Sequence, residues 1–248
     1  MVNLNRSVAP IVSVSSFMIH QDKLSYDEGV NILTIDTCWH LMVNLQQSPR
    51  RLDEEEMAGA ARTLALAFED YPLYRDCLPD SGKRAANLEI LFEVLLRFGM
   101  SHGRVFAAPG GLEAVLILLD MPRTRITAWN MLRSGAARLF FKIGLKFIRT
   151  QMRITKEIEA LHDKHAPTQH CYIWVLGVHP DHQARGHGSA LLSHCCKELD
   201  EKSITGYLET AVERNIPFYI KYGFELVERR VLERDSLTLF AMIREPTG

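Results

Sequence analysis

Apolar residues return at helical spacing in "DEEEMAGAARTLALAFED", where Met57, Ala60, Leu64 and Phe68 share one face. Asp53 and Glu56 ahead of them have the spacing of a capping box, acidic residues fill the first turn, and Pro72 is the expected stop. "KRAANLEILFEVLLRF" repeats the pattern with Leu88, Leu91, Phe92 and Leu95, and Gly99 and Gly103 read as stops. "RVFAA" and "AVLILLD", joined through "PGG", predict a hairpin of two short strands. Residues 127–164 predict further helix, interrupted at Gly135 and Gly144. "CYIWVLGV" is a continuous apolar run of strand length, the pattern of a strand buried on both faces. A helix over about 189–202, a strand "GYLETA", a short helix ending at "KYGF" and closing strands near 225–231 and 237–243 complete the pattern. Strands alternating with helices predict one α/β (α+β) domain around a central mixed sheet.

The regular pattern starts soon after Met42, where "MVNL" repeats the first four residues, so 1–41 reads as an N-terminal extension and 42–248 as a single domain. "VAPIVSVSSFMI" has the length of a leader, but serines interrupt it and no small-residue cleavage site follows, so no secretory signal is expected. Over the whole chain 47% of the 248 residues are hydrophobic, 24% are charged and the formal net charge is −1. That balance argues against an obligate nucleic-acid binder. No apolar run approaches the ~18 residues of a spanning helix, which predicts a soluble chain with no transmembrane segment. Cys38, Cys77, Cys171, Cys195 and Cys196 form an odd set with no C-x-x-C pair. Reduced thiols in a reducing compartment, hence a cytoplasmic location, fit them better than a disulfide framework or zinc ligation.

One stretch departs from this even charge. Residues 121–156 hold nine Lys or Arg and no Asp or Glu, with Arg138, Lys142, Lys146, Arg149, Arg153 and Lys156 three or four residues apart. The spacing predicts a basic stripe opposite Leu139, Ile143 and Phe147, either a solvated helix face or an attractor for an acidic ligand, membrane surface or partner.

The chemistry concentrates in "VHPDHQARGHGSALL", residues 178–192, between the buried strand and a helix. The first amides of a helix lack intrahelical acceptors and lie at the positive end of its dipole, and glycines let the main chain approach an anion closely. Gln183-x-x-Gly186-x-Gly188 therefore suits a diphosphate, although it lacks both the Gly-Lys-Ser/Thr ending of a P-loop and the third glycine of the dinucleotide fingerprint. His179, His182 and His187 with Asp181 lack the rigid helical or strand spacing of catalytic zinc ligands, so no metal is expected.

Together, "GVHPDHQARGHGSALL", "LETAVERNIPFYIKYGF", "AARTLALAFEDYP" and "HAP" resemble the Gcn5-related N-acetyltransferase (GNAT) family, and within it the puromycin N-acetyltransferase-like branch. The resemblance covers about residues 42–245. It implies a mixed, mostly antiparallel sheet flanked by helices, with a splayed parallel strand pair that receives acetyl-CoA. Val178 would then offer backbone hydrogen bonds to the pantetheine arm. The amides of Gln183, Ala184, Arg185, Gly186, His187, Gly188 and Ser189 would hold the diphosphate, with Asn215 beside the pantetheine arm. Tyr219 matches the acid that protonates the departing thiolate, although alone it would read as a packed aromatic beside Phe218 and Tyr222. Glu209 matches a glutamate of the puromycin-type enzymes and is the candidate base; a structural hydrogen bond or an exposed strand end explains it equally well. Asp70 and Tyr71 would line the acceptor pocket.

The resemblance thus implies N-acetyl transfer to a small-molecule amine by direct attack in a ternary complex, without metal or nucleic acid, and admits a homodimer. A non-catalytic acyl-CoA-binding module and a protein or peptide N-acetyltransferase stay open as alternatives. "AVLILLDMP" is more aliphatic than the matching puromycin-enzyme strand and the basic segment follows it, so puromycin itself is not implied.

Overall fold

The computed structural model describes residues 48–247 except 76 and 125. The extension 1–41, its boundary at Met42 and Cys38 lie outside the described residues. A short strand β1 (Arg50–Arg51) leads through a 3-10 turn into α1 (Met57–Ala67), then α2 (Pro72–Arg75) and α3 (Ser81–His102). The hairpin β2 (Arg104–Ala107) and β3 (Ala114–Met121) follows, and then the helical segment α4 (Ala128–Arg133), α5 (Ala137–Lys142) and α6 (Leu145–His165). β4 (His170–Val178), α7 (His187–Lys202), β5 (Thr205–Thr210), α8 (Ile216–Ile220), β6 (Glu225–Leu232) and β7 (Leu237–Arg244) complete the chain. The sheet runs β1-β2-β3-β4-β5-β7-β6, antiparallel except for the central β4–β5 pair.

The capping box forms as its spacing predicts, with the Asp53 side chain and Glu56 capping reciprocally. Pro72 does not stop α1, which ends at Ala67; it opens α2, where a missing N–H costs nothing. Gly99 is likewise no stop. It lies inside α3, and a Cβ there would stand 2.6 Å from Ile117 and 3.0 Å from Val105, so it serves close helix–sheet contact. Gly103 alone terminates α3. Gly135 and Gly144, at φ 97° and 104°, divide the segment into three helices, and the basic stripe is not one helix face because Gly144 splits its residues between α5 and α6. Arg138 instead pairs with Glu93 and Arg153 with Asp235, while Leu139 and Phe147 are buried as expected. α7 starts at His187, two residues ahead of the expected start.

Helices α1 and α3 cover one face of the sheet and α7 the other. Gly177 and Gly206 mark the closest approaches: an added Cβ would stand 2.6 Å from Leu64 of α1 in the first case and 2.7 Å from Leu199 of α7 in the second. Arg104 ties the layers together, holding Asp120 of β3 and Glu198 of α7 at once. The four described cysteines are free thiols.

β4 and β5 pair only from His170–Thr205 to Tyr172–Tyr207. Immediately beyond, β4 bulges: Ile117 opposes Val175 and Leu118 opposes Ile173, leaving Trp174 as the extra residue. A bulge bends its strand and increases local twist, so β4 leaves β5 here while β5 stays paired with β7 through Thr210. The sheet therefore opens in the middle. Because α1 presses on Gly177 within the opened stretch, Gly177→Ala is expected to lose about 1–3 kcal/mol, measured by urea unfolding; unchanged stability would show that α1 is free to withdraw.

Candidate functional site

The opened strands, the loop after β4 and the segment after β5 converge on one cleft. At its upper end the loop folds back on β4, as Gln183 Nε2 donates to the Val178 carbonyl at 3.2 Å and the His179 amide donates to the Glu113 carbonyl at 2.7 Å. Ala184 and Gly186 take left-handed conformations, φ 61° and 87°. Such alternation turns successive N–H groups inward as an anion nest, and the first turn of the 16-residue α7 adds its own free amides. Left-handed backbone was expected of glycine; Ala184 adopts it too, despite the Cβ penalty. The side chains divide by position. Arg185 is exposed, whereas His187 is buried, burial lowers its proton affinity, and its Nδ1 has no hydrogen-bond partner among the described residues.

His179 and His182 lie with ring centroids 5.4 Å apart, and the next pair, His182 and His187, 6.0 Å apart. His179 Nδ1 accepts from the Asp181 amide at 3.2 Å. Among the described residues no three His, Cys, Asp or Glu are grouped to hold a metal ion.

Below the loop, Asn215 is fully buried. Its Nδ2 donates to Thr210 Oγ1 at 3.3 Å, and its Oδ1 has no partner among the described residues. Tyr219 on α8 packs against Phe218 and Phe224 with ring centroids 5.3 Å and 5.9 Å away. Burial, reinforced by Tyr71, raises its phenol well above the usual range. A phenol held that way carries its proton at neutral pH. Tyr71 reaches the same region: its hydroxyl accepts the Ala211 amide at 2.7 Å, pinning the turn after α1 to the end of β5. Asp70 does not join it. It is exposed and stands 3.7 Å from Arg84, whose guanidinium also donates to the Leu78, Glu69 and Pro79 carbonyls and so fixes that turn.

Glu209 sits one pleat beyond Tyr207, the last β5 residue paired with β4. It is not exposed, and among the described residues it is not hydrogen-bonded: its side chain is 4% accessible and both carboxyl oxygens lack a partner there. Burial pushes its pKa from 4.5 up to about 7, opposed by the nearby Tyr172 and Tyr207 hydroxyls, which approach without closing a hydrogen bond. A carboxyl so placed accepts and returns protons near neutral pH.

Sequence reasoning missed two features. One is the pair His162 and His170, eight residues apart across the helix–strand turn: the His162 ring meets Tyr172 edge-on and Tyr207 at a tilt, and the His170 ring meets Tyr207 edge-on, beside Glu209. The other is a cavity of about 230 Å³ between α2, α6 and the β6–β7 turn, lined by Leu73, Cys77, Lys146, Arg153, Arg234 and Asp235 among others. Arg153 Nε donates to Asp235 at 3.1 Å, while Lys146 and Arg234 have no ion-pair partner among the described residues. No local pattern brings residues this far apart in sequence together.

Residues 152–224 match the family model described as the acetyltransferase (GNAT) family. An uncharacterized N-acetyltransferase of Schizosaccharomyces pombe is 26% identical over 206 residues, which cover 79% of this chain and 83% of its own. A solved structure described as histone acetyltransferase HPA2 and related acetyltransferase, from Corynebacterium glutamicum, aligns with TM-score 0.58 at 20% identity, covering 82% of this chain and 97% of that one. Arylalkylamine N-acetyltransferase 2 of Aedes aegypti aligns with TM-score 0.51 at 11% identity, covering 82% and 100% respectively. At these identities the structural likenesses establish a shared fold.

The raised pKa of Glu209 has a stability consequence that needs no substrate. The native state holds this proton more tightly than the unfolded chain, so its contribution is full below pH 4.5 and is lost as pH rises through about 7. Glu209→Gln is therefore expected to gain stability on the wild type between pH 5 and pH 8, by up to about 3 kcal/mol. Thermal unfolding across that range measures it, and parallel pH curves would contradict a buried, unpaired carboxyl.

Proposed function

Because residues 152–224 match the acetyltransferase (GNAT) family model and the chain resembles an N-acetyltransferase along most of its length, we propose that it moves the acetyl group of acetyl-CoA to the primary amine of a small molecule carrying an anionic group. The observation that carries this reading is Glu209, a buried carboxyl without a partner in the wall of the cleft where β4 and β5 part. The cleft also fits the co-substrate on its own evidence. The nest at Ala184–Gly186 and the first turn of α7 suit a diphosphate, the unpaired Oδ1 of Asn215 suits an amide N–H, and the opened edge of β4 can pair with an extended amide chain. The family uses acetyl-CoA, which supplies the activated acetyl thioester.

In the proposed reaction Glu209, directly or through a water, takes a proton from the acceptor's ammonium group. The free amine attacks the thioester carbon, so the C–N bond forms as the C–S bond breaks. Tyr219, whose burial keeps its proton in place at neutral pH, gives that proton to the departing sulfur and regains one from the acetylated nitrogen, which sheds its second proton to become the amide, while Glu209 returns its proton to solvent. Held beside the thioester, the amine attacks within a ternary complex, and positioning supplies much of the rate. Val178 and residues 183–189 would hold the co-substrate, Tyr71 would border the acceptor, and 42–248 would be the catalytic domain.

The acceptor's charge is assigned by taking the cavity at Pro72 and Leu73, the residues that follow Tyr71, as the acceptor's seat. Its size suits a small molecule, and Lys146 and Arg234 leave uncompensated positive charge at its wall. An amine bearing a carboxylate or phosphate would complement them.

Release of CoA thiol across a panel of amines tests the reading. Acidic amines are expected to turn over faster than their amidated or dephosphorylated analogues. Lys146→Glu with Arg234→Glu should raise KM for the acidic amine about tenfold, leaving KM for acetyl-CoA unchanged. Tyr219→Phe should lower kcat about 10²-fold. No thiol release with any amine would contradict the proposal, and equal rates for acidic and neutral amines would remove the anionic group from it.

A further inference from the structure

The histidine pair beside Glu209 has its protonation pattern set by geometry. His170 Nδ1 lies 2.5 Å from the Pro167 carbonyl. A carbonyl only accepts, so His170 Nδ1 carries a hydrogen. Burial lowers the proton affinity of both rings, that of His162 to about pH 4, and each ring is therefore neutral. A neutral His170 with hydrogen on Nδ1 has a bare Nε2. That Nε2 stands 2.7 Å from His162 Nε2, a contact that needs one hydrogen, which His162 must supply. His162 is then bare at Nδ1, the nitrogen facing Glu209 Oε1 at 3.9 Å.

That separation agrees with the deduction. An N–H at His162 Nδ1 would draw a carboxylate in to ordinary hydrogen-bond distance, whereas a lone pair and an anion keep apart. Once Glu209 gains a proton, its O–H has an acceptor waiting. Tyr172 and Tyr207, the other polar groups around the pair, are phenols with raised proton affinity, so each keeps an O–H that can donate toward the carboxylate, whereas His162 Nδ1 offers a lone pair alone. Asp163 acts on His162 from the exposed side of α6, and on β6 Arg230 and Glu228 pair with each other behind Tyr207. Tyr71 acts on Glu209 from the turn after α1.

We propose that His162 and His170 form a tautomer lock, anchored on the Pro167 carbonyl, that presents a bare ring nitrogen to Glu209 and makes both histidines positioning residues for its proton transfer. The lock destabilises the carboxylate and stabilises the acid, so it holds the base near neutrality rather than near the ordinary carboxylate range. The inference deepens the role proposed above for Glu209 and rests on it for its catalytic meaning, though the tautomers themselves do not.

Two measurements test it. Nitrogen NMR of histidine-labelled protein at pH 8, assigned with His162→Gln and His170→Gln, should find hydrogen on Nδ1 of His170 and on Nε2 of His162. Hydrogen on Nδ1 of His162 would overturn the lock whatever the enzyme's activity. The second is the acidic limb of the kcat/KM profile against pH. His170→Phe keeps the ring volume but frees His162 to turn an N–H toward Glu209, and the limb should move down by about one unit or more. An unmoved limb in a variant that unfolds at the wild-type temperature would overturn the lock's action on the base. Glu209→Gln separates the two claims. If the limb persists without Glu209, the base assignment fails, while the NMR result still decides the tautomers.

Discussion

The whole site depends on one irregularity in the sheet, the bulge at Trp174. Three residue pairs hold β4 to β5, and the extra residue then turns β4 away while β5 keeps its ladder with β7. Main-chain groups that would otherwise be consumed by pairing are left facing a cleft. Unpaired edges inside a fold are costly unless something completes them, so an opened central pair implies an extended polar guest. The glycine-containing loop and the first turn of α7 stand at one end of the cleft, and Asn215, Glu209 and Tyr219 stand along it. Packing preserves the gap: α1 presses on Gly177 and α7 on Gly206, from opposite faces.

Burial does most of the electrostatic work in this cleft. Glu209 is raised to about 7, Tyr219 is raised well above its usual range, and His162 and His187 are lowered. All four shifts favour the neutral form. The proposed acid and the proposed base are thereby set apart without any strong ion pair among the described residues. Charge is kept for the periphery, where Arg104 clamps β2, β3 and α7 together and Arg153 meets Asp235 over the cavity.

Much of the fold was legible in the sequence because it is local. Short apolar runs around turn residues gave the hairpin and the buried strand, helical spacing gave the long helices, and Gly135 and Gly144 mark their breaks as expected. Where proline or glycine was read as a stop the outcome depended on tertiary context: Pro72 opens a helix and Gly99 lets one approach the sheet. The loop at Gln183–Ser189, with Asn215 and Tyr219, was legible through its resemblance to a family. Glu209 was legible as a strand glutamate but not as an unpaired one, since its isolation is a property of the gap. The partnership of His162 with His170, and the cavity joining Cys77, Lys146 and Arg234, needed the fold itself. The basic stripe does not hold as one face because its period matches a single helix while Gly144 divides its residues between α5 and α6.

The account rests on the claim that the gap between β4 and β5 receives the co-substrate. Amide hydrogen exchange with and without acetyl-CoA tests it most directly. Protection is expected in three stretches at once: 173–178 on the opened β4, 184–190 around the loop and first turn of α7, and 208–216 at the end of β5. Protection confined to other segments, or none at saturating acetyl-CoA, would contradict it.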